Sequence, residues 1–265
     1  MENVTYIIPL YEWDQIVEEY LENAVESVAK TVCSLGDRIM LIGPKDIITS
    51  AERTCKNFAP NYTIQKIEND DTNFFVQVNK AAYACVTPYF TILEYDDTVK
   101  PYWNDLLQSY SVKSPFLIPL NLLIKDERPY TLANEIGLST TFASGDNGIG
   151  VIDVEALKDY VEFNLTGGLF KTEDFISIGG LKPSLKITAW YEFLLRAAYN
   201  NKPVFVVPKI AYLHTINRPG SFMETFSKEV GGKEAEWLIE TAKQEYFFKE
   251  DRNKTYQNNT GEGEK

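Results

Sequence analysis

Two hydrophobic periods alternate along the first 110 residues of the chain. Short apolar runs that end at proline, glycine or acidic residues are typical of buried strands. Longer stretches with apolar residues three and four positions apart are typical of helices with one buried face. The pattern predicts strands at 4–8, 38–42, 62–67 and 89–93, and helices at 13–30, 46–57 and 73–86. It also predicts that Asp46 caps the second helix and that Pro101 opens a fourth.

The second half of the chain has a less regular pattern. Strands are predicted at 116–125, 130–142, 165–170 and 204–207, and helices at 154–161, 172–178, 187–199 and 234–248. Residues 144–148 and 213–221 have the composition of turns. From residue 249 onward apolar residues almost vanish, which predicts a disordered tail at 249–265. We therefore expect a single domain over 1–248, made of the halves 1–110 and 111–248.

Strands that alternate with helices indicate βαβ units, and the predicted fold class is α/β with a mostly parallel central sheet flanked by helices. In such sheets ligands bind beyond the carboxyl ends of the strands. Those ends correspond to residues 9–12, 43–46, 68–71 and 94–97, which carry several carboxylates. We therefore expect a site at this edge to be acidic and suited to a metal ion.

The composition narrows the possible partners. The chain has 265 residues and a formal net charge of −12, whereas proteins that bind nucleic acids present basic surfaces. Cys33, Cys55 and Cys85 form no C-x-x-C motif, which predicts buried free thiols in a reducing compartment. Neither a signal peptide nor an apolar run of about 18–20 residues is present, so we expect a cytoplasmic protein without an integral membrane segment.

The most informative segment is residues 93–97, which read LEYDD after an apolar strand. Three carboxylates so close together are costly unless a cation or hydrogen-bond donors compensate their charge. Mg²⁺ and Mn²⁺ prefer oxygen ligands and leave room for phosphate oxygens. The segment therefore predicts a metal site that in turn binds a diphosphate. The alternative is a solvated acidic turn with Asp97 near a helix N-terminus.

Several segments in order along the chain resemble family 2 glycosyltransferases of the GT-A fold. In the first half these are PLY at 9–11, NKAA at 79–82 and LEYDD at 93–97. Those in the second half are IGGLKP at 178–183, FLLRA at 193–197, VFVVP at 204–208 and YLHTINRPGS at 212–221. The resemblance covers about residues 3–225. It implies that residues 1–110 bind the nucleotide and that residues 111–248 bind the acceptor, which the sequence leaves open between a glycan, a lipid-linked molecule and a protein.

The resemblance also implies roles for individual residues. Asp96 corresponds to the metal-binding aspartate of the family, with Glu94 and Asp97 beside it, and the only histidine, His214, corresponds to a distal ligand of the metal or diphosphate. The residues implied in nucleotide or sugar binding are Pro9, Tyr11, Glu12, Asp46, Asn79, Lys80 and Arg218. Asp46 matches its family position poorly. A structural or surface role for His214 and a surface salt bridge for Arg218 are the alternatives.

One departure from the family pattern concerns the general base. Inverting members carry an acidic pair at the start of a helix in the second half, but residues 186–192 read KITAWYE and lack it. Glu192 is the candidate for a displaced general base, which would have to reach the acceptor hydroxyl. The alternative is an i,i+4 ion pair with Arg196 on the surface of the helix.

The resemblance implies that the chain transfers a sugar from a nucleotide-diphosphate sugar, expected to be UDP-linked, to an unidentified hydroxyl acceptor. Mn²⁺ or Mg²⁺ is the implied cofactor, and nucleic acid is not an expected partner. The alternative function is a binding or assembly module that has the fold but has lost its catalytic base. Metal-dependent binding of UDP is expected of the enzyme, and binding that is absent or indifferent to the metal would contradict it.

Overall fold

The computed structural model describes residues 1–32, 34–139, 148–159, 162–218 and 236–244, together with residues 221 and 233. Within these ranges the strands are β1 (Val4–Pro9), β2 (Arg38–Gly43), β3 (Thr63–Glu68), β4 (Tyr89–Ile92), β5 (Thr98–Val99), β6 (Phe116–Lys125), β7 (Arg128–Ala133), β8 (Val151–Ile152), β9 (Leu169–Lys171) and β10 (Val204–Thr215). The α-helices are α1 (Gln15–Ala29), α2 (Lys45–Phe58), α3 (Phe74–Ala84), α4 (Trp103–Ser109), α5 (Ala156–Asp159), α6 (Thr172–Ser177) and α7 (Ala189–Tyr199). Residues 236–244 are also helical, and two 3₁₀ segments lie at Glu135–Leu138 and Pro183–Thr188.

The described strands form one central sheet in the order β3-β2-β1-β4-β9-β6-β10-β5, with β7 added beside β6 and β8 beside β10. The pairings among β3, β2, β1 and β4 are parallel, as is the long pairing of β6 with β10. The short strands β5, β8 and β9 and the hairpin strand β7 pair in the antiparallel sense. The α/β class with a central sheet is therefore confirmed, and the antiparallel strands are additions to a parallel framework.

Both faces of the sheet are covered by apolar clusters, because the central strands are buried on both sides. All six residues of β1 are buried, and its apolar residues divide between the two clusters, as in Ile7 on one face and Ile8 on the other. Helix α1 covers one face and helix α3 the other. Strand β1 lies between β2 and β4, so the order of connection reverses there. A crevice forms outside the carboxyl ends of strands at such a point.

Helix boundaries in the first half follow capping chemistry. The Asp14 carboxylate accepts a hydrogen bond from the Val17 amide at the start of α1, and Asn73 caps α3 in the same manner. Two predictions of helix starts were wrong. Helix α2 begins at Lys45 after Pro44, so Asp46 lies inside its first turn and is not the cap. Helix α4 begins at Trp103, and Pro101 precedes it in a turn.

The second half departs further from the predicted elements. Strand β7 ends at Ala133, and β9 contains only the end of the strand predicted at 165–170. Strand β10 does not stop at residue 207, because a bulge lets it continue to Thr215 after an interruption at Pro208. The turn predicted from residue 213 was therefore wrong for its first three residues. Residues 144–147 of the predicted glycine-rich turn and the predicted tail lie outside the described residues.

Two further expectations from the sequence concern thiols and membranes. Cys55 is a buried free thiol and Cys85 a half-buried one, while Cys33 lies outside the described residues. Among the helices that the structure describes, none combines the length and apolar character needed to cross a bilayer.

Candidate functional site

The acidic turn that follows β4 lies at the carboxyl edge of the sheet. The Leu93 amide extends the β4–β1 pairing by donating to the Ile7 carbonyl at 2.9 Å, and the Asp97 amide then donates to the Glu94 carbonyl at 3.1 Å. After this turn β5 pairs antiparallel with β10, joining Val99 to Tyr212. The last residues of β10 are thereby held against the acidic turn, although more than 100 residues separate the two segments in sequence.

Asp97 is the buried centre of this arrangement. Its Oδ2 accepts hydrogen bonds from the Tyr212 hydroxyl and from Nδ1 of His214, both at 2.7 Å. Its Oδ1 accepts a third bond, also 2.7 Å long, from the Thr215 amide. Residues 212 and 214 of a strand project to the same face, so one carboxylate can receive both side chains. The carboxylate thus fixes the end of β10 and the orientation of the imidazole.

Glu94, Asp97 and His214 form a cluster that suits a metal ion. Each offers one ligand atom, and the three atoms lie within 4.8 Å of one another. Among the described residues none donates a hydrogen bond to the Glu94 carboxylate, although its backbone amide donates to the Tyr212 hydroxyl at 3.3 Å. Burial, followed by the negative charge of Asp97, raises the pKa of Glu94 to about 8. The carboxylate therefore lies in a place that a cation would stabilise.

The electrostatics of His214 follow from the same neighbours. Burial by itself lowers the pKa of the imidazole, but the charge and hydrogen bond of Asp97, with Glu94 and Asp96 behind them, outweigh it and raise the pKa to about 10. Without a metal the ring therefore carries a proton at neutral pH and supplies positive charge among the carboxylates. A cation bound through this ring would displace a proton, as metal ligands ordinarily do.

Asp96 has different partners from the other two acidic residues of the turn. Its Oδ2 accepts a hydrogen bond from Nε of Arg218 at 2.8 Å, and its carbonyl accepts one from the Thr215 hydroxyl at 2.7 Å. Burial and the charge of Asp97 raise the pKa of Asp96 to about 6, against the opposing effect of Arg218. Of the four predicted metal residues, three thus cluster together and Asp96 is paired with an arginine beside them.

Arg218 joins the acidic turn to the loop after β1. Its Nη2 donates to Glu12 at 3.0 Å and to the Tyr95 hydroxyl, and Tyr95 also donates to Glu12. The guanidinium carbon lies 5.0 Å from the centroid of the Tyr95 ring, a cation–π contact. Tyr11 lies in the same group, with its ring centroid 5.6 Å from that of Tyr95. The structure therefore brings the predicted residues Tyr11, Glu12 and Arg218 together, next to the candidate metal-binding residues.

The remaining residues predicted to bind nucleotide or sugar lie around the ends of the first strands. Pro9 is buried at the end of β1, and Asp46 lies in the first turn of α2, beyond the end of β2. The Asn79 side chain exchanges two hydrogen bonds of 2.8 Å with the backbone of Leu181. Lys80 donates to the Glu68 carbonyl at 2.7 Å. Asn79 and Lys80 thus hold neighbouring loops in place.

Glu192 lies in α7 and is fully buried. Its two carboxylate oxygens accept from Nε and Nη2 of Arg196 at 2.9 and 2.8 Å, and Lys182 pairs with it at 2.8 Å. Arg196 also donates to the carbonyls of Ile178 and Gly180. The i,i+4 pair considered as the alternative is therefore present, but in the interior rather than on the surface. The role of Glu192 as a general base stays a prediction.

Tyr212 and Thr215 are members of the site that the sequence analysis did not single out. Tyr212 is fully buried, and its hydroxyl bridges the Glu94 amide and the Asp97 carboxylate. The available signal was its position two residues before His214, which places both on one face if the segment is a strand. That signal was hidden because the segment was predicted to be a turn.

No protein-family model and no curated protein sequence matches the chain. Among solved structures, S. aureus TarS 1-349 in complex with UDP-GlcNAc is similar with a TM-score of 0.62 and 14% identity, over 85% of this chain and 61% of that one. The mannosyltransferase PcManGT from Pyrobaculum calidifontis in complex with GDP-Man and Mn²⁺ gives a TM-score of 0.58 and 13% identity, over 82% of this chain and 58% of that one. This chain therefore spans about three fifths of the length of these proteins. The likeness confirms the predicted glycosyltransferase type of fold.

Proposed function

We propose that this chain transfers a glycosyl group from a nucleotide-diphosphate sugar, with UDP as the favoured nucleotide, to a hydroxyl of an acceptor not yet identified. The observation that carries the proposal is the cluster of Glu94, Asp97 and His214 at the carboxyl edge of the sheet. It is supported by a fold shared with proteins whose structures contain UDP-GlcNAc, UDP or GDP-Man. Fold alone does not determine function, so the proposal depends on the site.

The residues of the cluster fit a divalent cation. Glu94 is a half-buried carboxylate without a hydrogen-bond donor among the described residues, and it lies beside a second carboxylate, that of Asp97. Two carboxylates and one imidazole form a donor set that Mn²⁺ accepts, and Mg²⁺ is the alternative. When bound, such a cation would neutralise negative charge that develops on the departing diphosphate. Glu94, Asp97 and His214 would hold it.

The residues around the cluster prepare the site for an anionic donor. Asp97 holds the His214 ring beside the acidic turn through the hydrogen bond to Nδ1. Arg218 supplies a fixed positive charge next to Asp96 and ties the loop of Glu12 to the acidic turn. Because these groups are held by hydrogen bonds before any ligand arrives, little reorganisation is needed when a diphosphate binds.

A second candidate function is a donor-binding module without turnover. One observation favours it: the Glu192 carboxylate is fully buried and is held by Arg196 and Lys182, as expected of a structural ion pair. A general base has to lie within hydrogen-bond reach of the acceptor hydroxyl. The two functions share the nucleotide site and differ in whether a sugar is released or transferred.

The test of the proposal is isothermal titration of the full chain with UDP, with and without Mn²⁺, for the wild type and for Glu94→Gln. This substitution replaces a candidate metal-binding carboxylate with an amide and breaks no side-chain hydrogen bond within the described structure. We expect Mn²⁺ to strengthen UDP binding in the wild type. Glu94→Gln should lower the affinity for UDP in the presence of Mn²⁺ about 10- to 100-fold. Glu22→Gln changes a carboxylate on α1 that forms no ion pair with the described residues; it is the matched control and should bind as the wild type does.

The outcomes separate the candidates. UDP binding that is absent, or that ignores Mn²⁺, contradicts the proposed site, and tighter binding of GDP than of UDP contradicts the choice of nucleotide. If UDP and Mn²⁺ bind as expected, incubation with UDP-GlcNAc and UDP-glucose shows whether UDP is released. Donor binding in the complete absence of UDP release would favour the binding module.

A further inference from the structure

The hairpin formed by β6 and β7 belongs to the same sheet and projects beyond the candidate metal-binding residues Glu94, Asp97 and His214. His214 of β10 is the register partner of Leu123 in β6, so the two side chains project to one face of the sheet. Lys125 lies two residues further along β6 and projects to that face as well, about 6.6 Å beyond Leu123. The end of the hairpin therefore extends past the site on the side where the cluster lies.

Tyr130 is placed at the end of this hairpin by a β-bulge. Leu123 pairs with Thr131 and Ile124 pairs with Pro129, so Tyr130 has no partner residue on β6. A bulge of this kind changes the direction of a side chain and is frequent next to active sites. The Tyr130 side chain is 63% exposed, and the ammonium of Lys125 lies 5.4 Å from its ring centroid. The Lys125 ammonium thus contacts an aromatic ring that is exposed to ligands.

The surroundings of Tyr130 offer both donors and acceptors. A groove of about 450 Å³ is lined by Lys125, Asp126, Arg128, Pro129 and Tyr130. Two acidic residues, Asp126 and Glu127, balance the two basic residues, so the hairpin end has no net charge with which to attract an anion. The C–H face of a sugar ring packs on an aromatic side chain by dispersion, while its hydroxyls need both donors and acceptors. This combination matches a neutral saccharide.

The two-residue turn of the hairpin has residues with side chains in the left-handed region of backbone conformation. Asp126 and Glu127, between the paired Lys125 and Arg128, both have positive φ, 48° and 61°. Two-residue hairpin turns of this conformation favour asparagine, aspartate and glycine, so Asp126 suits its position, whereas Glu127 costs about 1 kcal/mol or more. The chain bears this strain at the groove, which is where functional side chains are often found.

We infer that the Lys125–Tyr130 groove binds the saccharide portion of the acceptor, with the Tyr130 ring as the stacking surface. The inference rests on the proposed glycosyl transfer, because the bound saccharide is the acceptor of that reaction. It adds a substrate class, a neutral sugar with C–H groups on one ring face, to a function for which the acceptor is otherwise open.

The test uses the full chain with UDP and Mn²⁺ and three neutral probes, maltose, cellobiose and N,N′-diacetylchitobiose. Saturation-transfer NMR should show transfer from the protein to ring C–H protons of at least one probe. We expect Tyr130→Ala to weaken that probe's binding about tenfold and Tyr130→Phe, which keeps the ring, to retain it. Tyr83→Ala removes another exposed tyrosine, from α3, and should leave the binding unchanged.

Three results would overturn the inference: none of the three probes binds, Tyr130→Ala binds them as well as the wild type, or glucose 1-phosphate binds far more tightly than neutral sugars. Titration of UDP and Mn²⁺ with Tyr130→Ala keeps the two proposals apart. Normal nucleotide binding with no Tyr130-dependent saccharide binding refutes only the groove. Absence of nucleotide binding in the wild type refutes the proposed function itself.

Discussion

The Asp97 carboxylate and Nδ1 of His214 are joined by a 2.7 Å hydrogen bond between residues that lie 117 positions apart in the chain. The contact connects the turn after β4 to the end of β10, so it unites the two halves of the molecule at the candidate site. The bond also holds the imidazole beside the carboxylates of the acidic turn. Because this hydrogen bond fixes His214 at the candidate site, removal of the imidazole should affect metal-dependent binding there.

His214→Ala should therefore weaken Mn²⁺-dependent UDP binding about 10- to 100-fold, since it removes one of three ligand atoms. Isothermal titration with and without the metal measures the effect. Tyr212→Phe is the comparison, because it removes one donor to Asp97 but keeps every atom of the cluster, and we expect a smaller loss. Equal affinity of His214→Ala and the wild type at each Mn²⁺ concentration would contradict a ligand role for the histidine.

The buried pair of Glu192 and Arg196 yields a prediction about stability. Arg196→Met removes the two guanidinium hydrogen bonds to the Glu192 carboxylate and those to the carbonyls of Ile178 and Gly180, so it should lower the free energy of unfolding by about 3–5 kcal/mol. Glu192→Gln should cost less, because its amide oxygen still accepts from Arg196. Urea denaturation measures both.

Lys182→Met is the control for that pair, because Lys182 is partly exposed and should contribute about 1 kcal/mol or less. The same variants address the predicted general base. A Glu192→Gln protein that unfolds at the wild-type urea concentration but no longer transfers sugar would support a catalytic role. Lost stability with transfer retained would assign Glu192 to the fold instead.

The parallel half of the fold was predictable because its pattern is local. Strand β1 is buried on both faces and helix α1 on one, and each of these conditions leaves a hydrophobic period that can be read within the segment itself. The acidic turn at 94–97 was equally visible, because adjacent carboxylates after an apolar strand are costly without compensation. Both predictions needed only residues that are neighbours in sequence.

The other half of the site was not predictable from local pattern. Pro208 and Lys209 interrupt the apolar run of β10 with exposed residues, and only the pairing with β6 shows that the strand continues to Thr215. Strand β9 lies between β4 and β6 through pairings of two residues each. The three hydrogen bonds to Asp97 join distant segments, so they follow from the assembled sheet and not from spacing.

The two described cysteines yield a prediction about pH. Burial raises the pKa of Cys55 and of Cys85 to about 12, above the ordinary thiol value, so both remain protonated at pH 8. In Cys33→Ser, which removes the cysteine outside the described residues, iodoacetamide should label the folded chain far more slowly than the chain in urea. The labelling rate should rise about tenfold per pH unit below the folded pKa.

The raised pKa values of the two thiols also predict that the folded chain becomes less stable at alkaline pH. Unfolded thiols ionise near their ordinary pKa of about 8.5, before the folded ones, so the free energy of unfolding should fall as the pH rises from there toward 12. Mass spectrometry locates the labelled thiol, and urea titrations at pH 8 and 10 measure the stability. Labelling of Cys85 in the folded protein at the rate found in urea would contradict the raised pKa.

Gly167 packs against the Tyr212 ring of the candidate site. Comparing its substitution with that of Gly148 distinguishes crowding of this ring from backbone strain. Its φ is +73°, and a Cβ there would lie 2.1 Å from the Tyr212 ring, which holds the hydroxyl bonded to Asp97. Gly167→Ala should lower the free energy of unfolding by roughly 2–5 kcal/mol and also weaken Mn²⁺-dependent UDP binding, because the ring has to move. Gly148 has a similar φ of +79° but open space around it, so Gly148→Ala should cost only about 1 kcal/mol and leave UDP binding intact. Equal losses of stability and binding in the two variants would show that the contact with Tyr212 does not position Asp97.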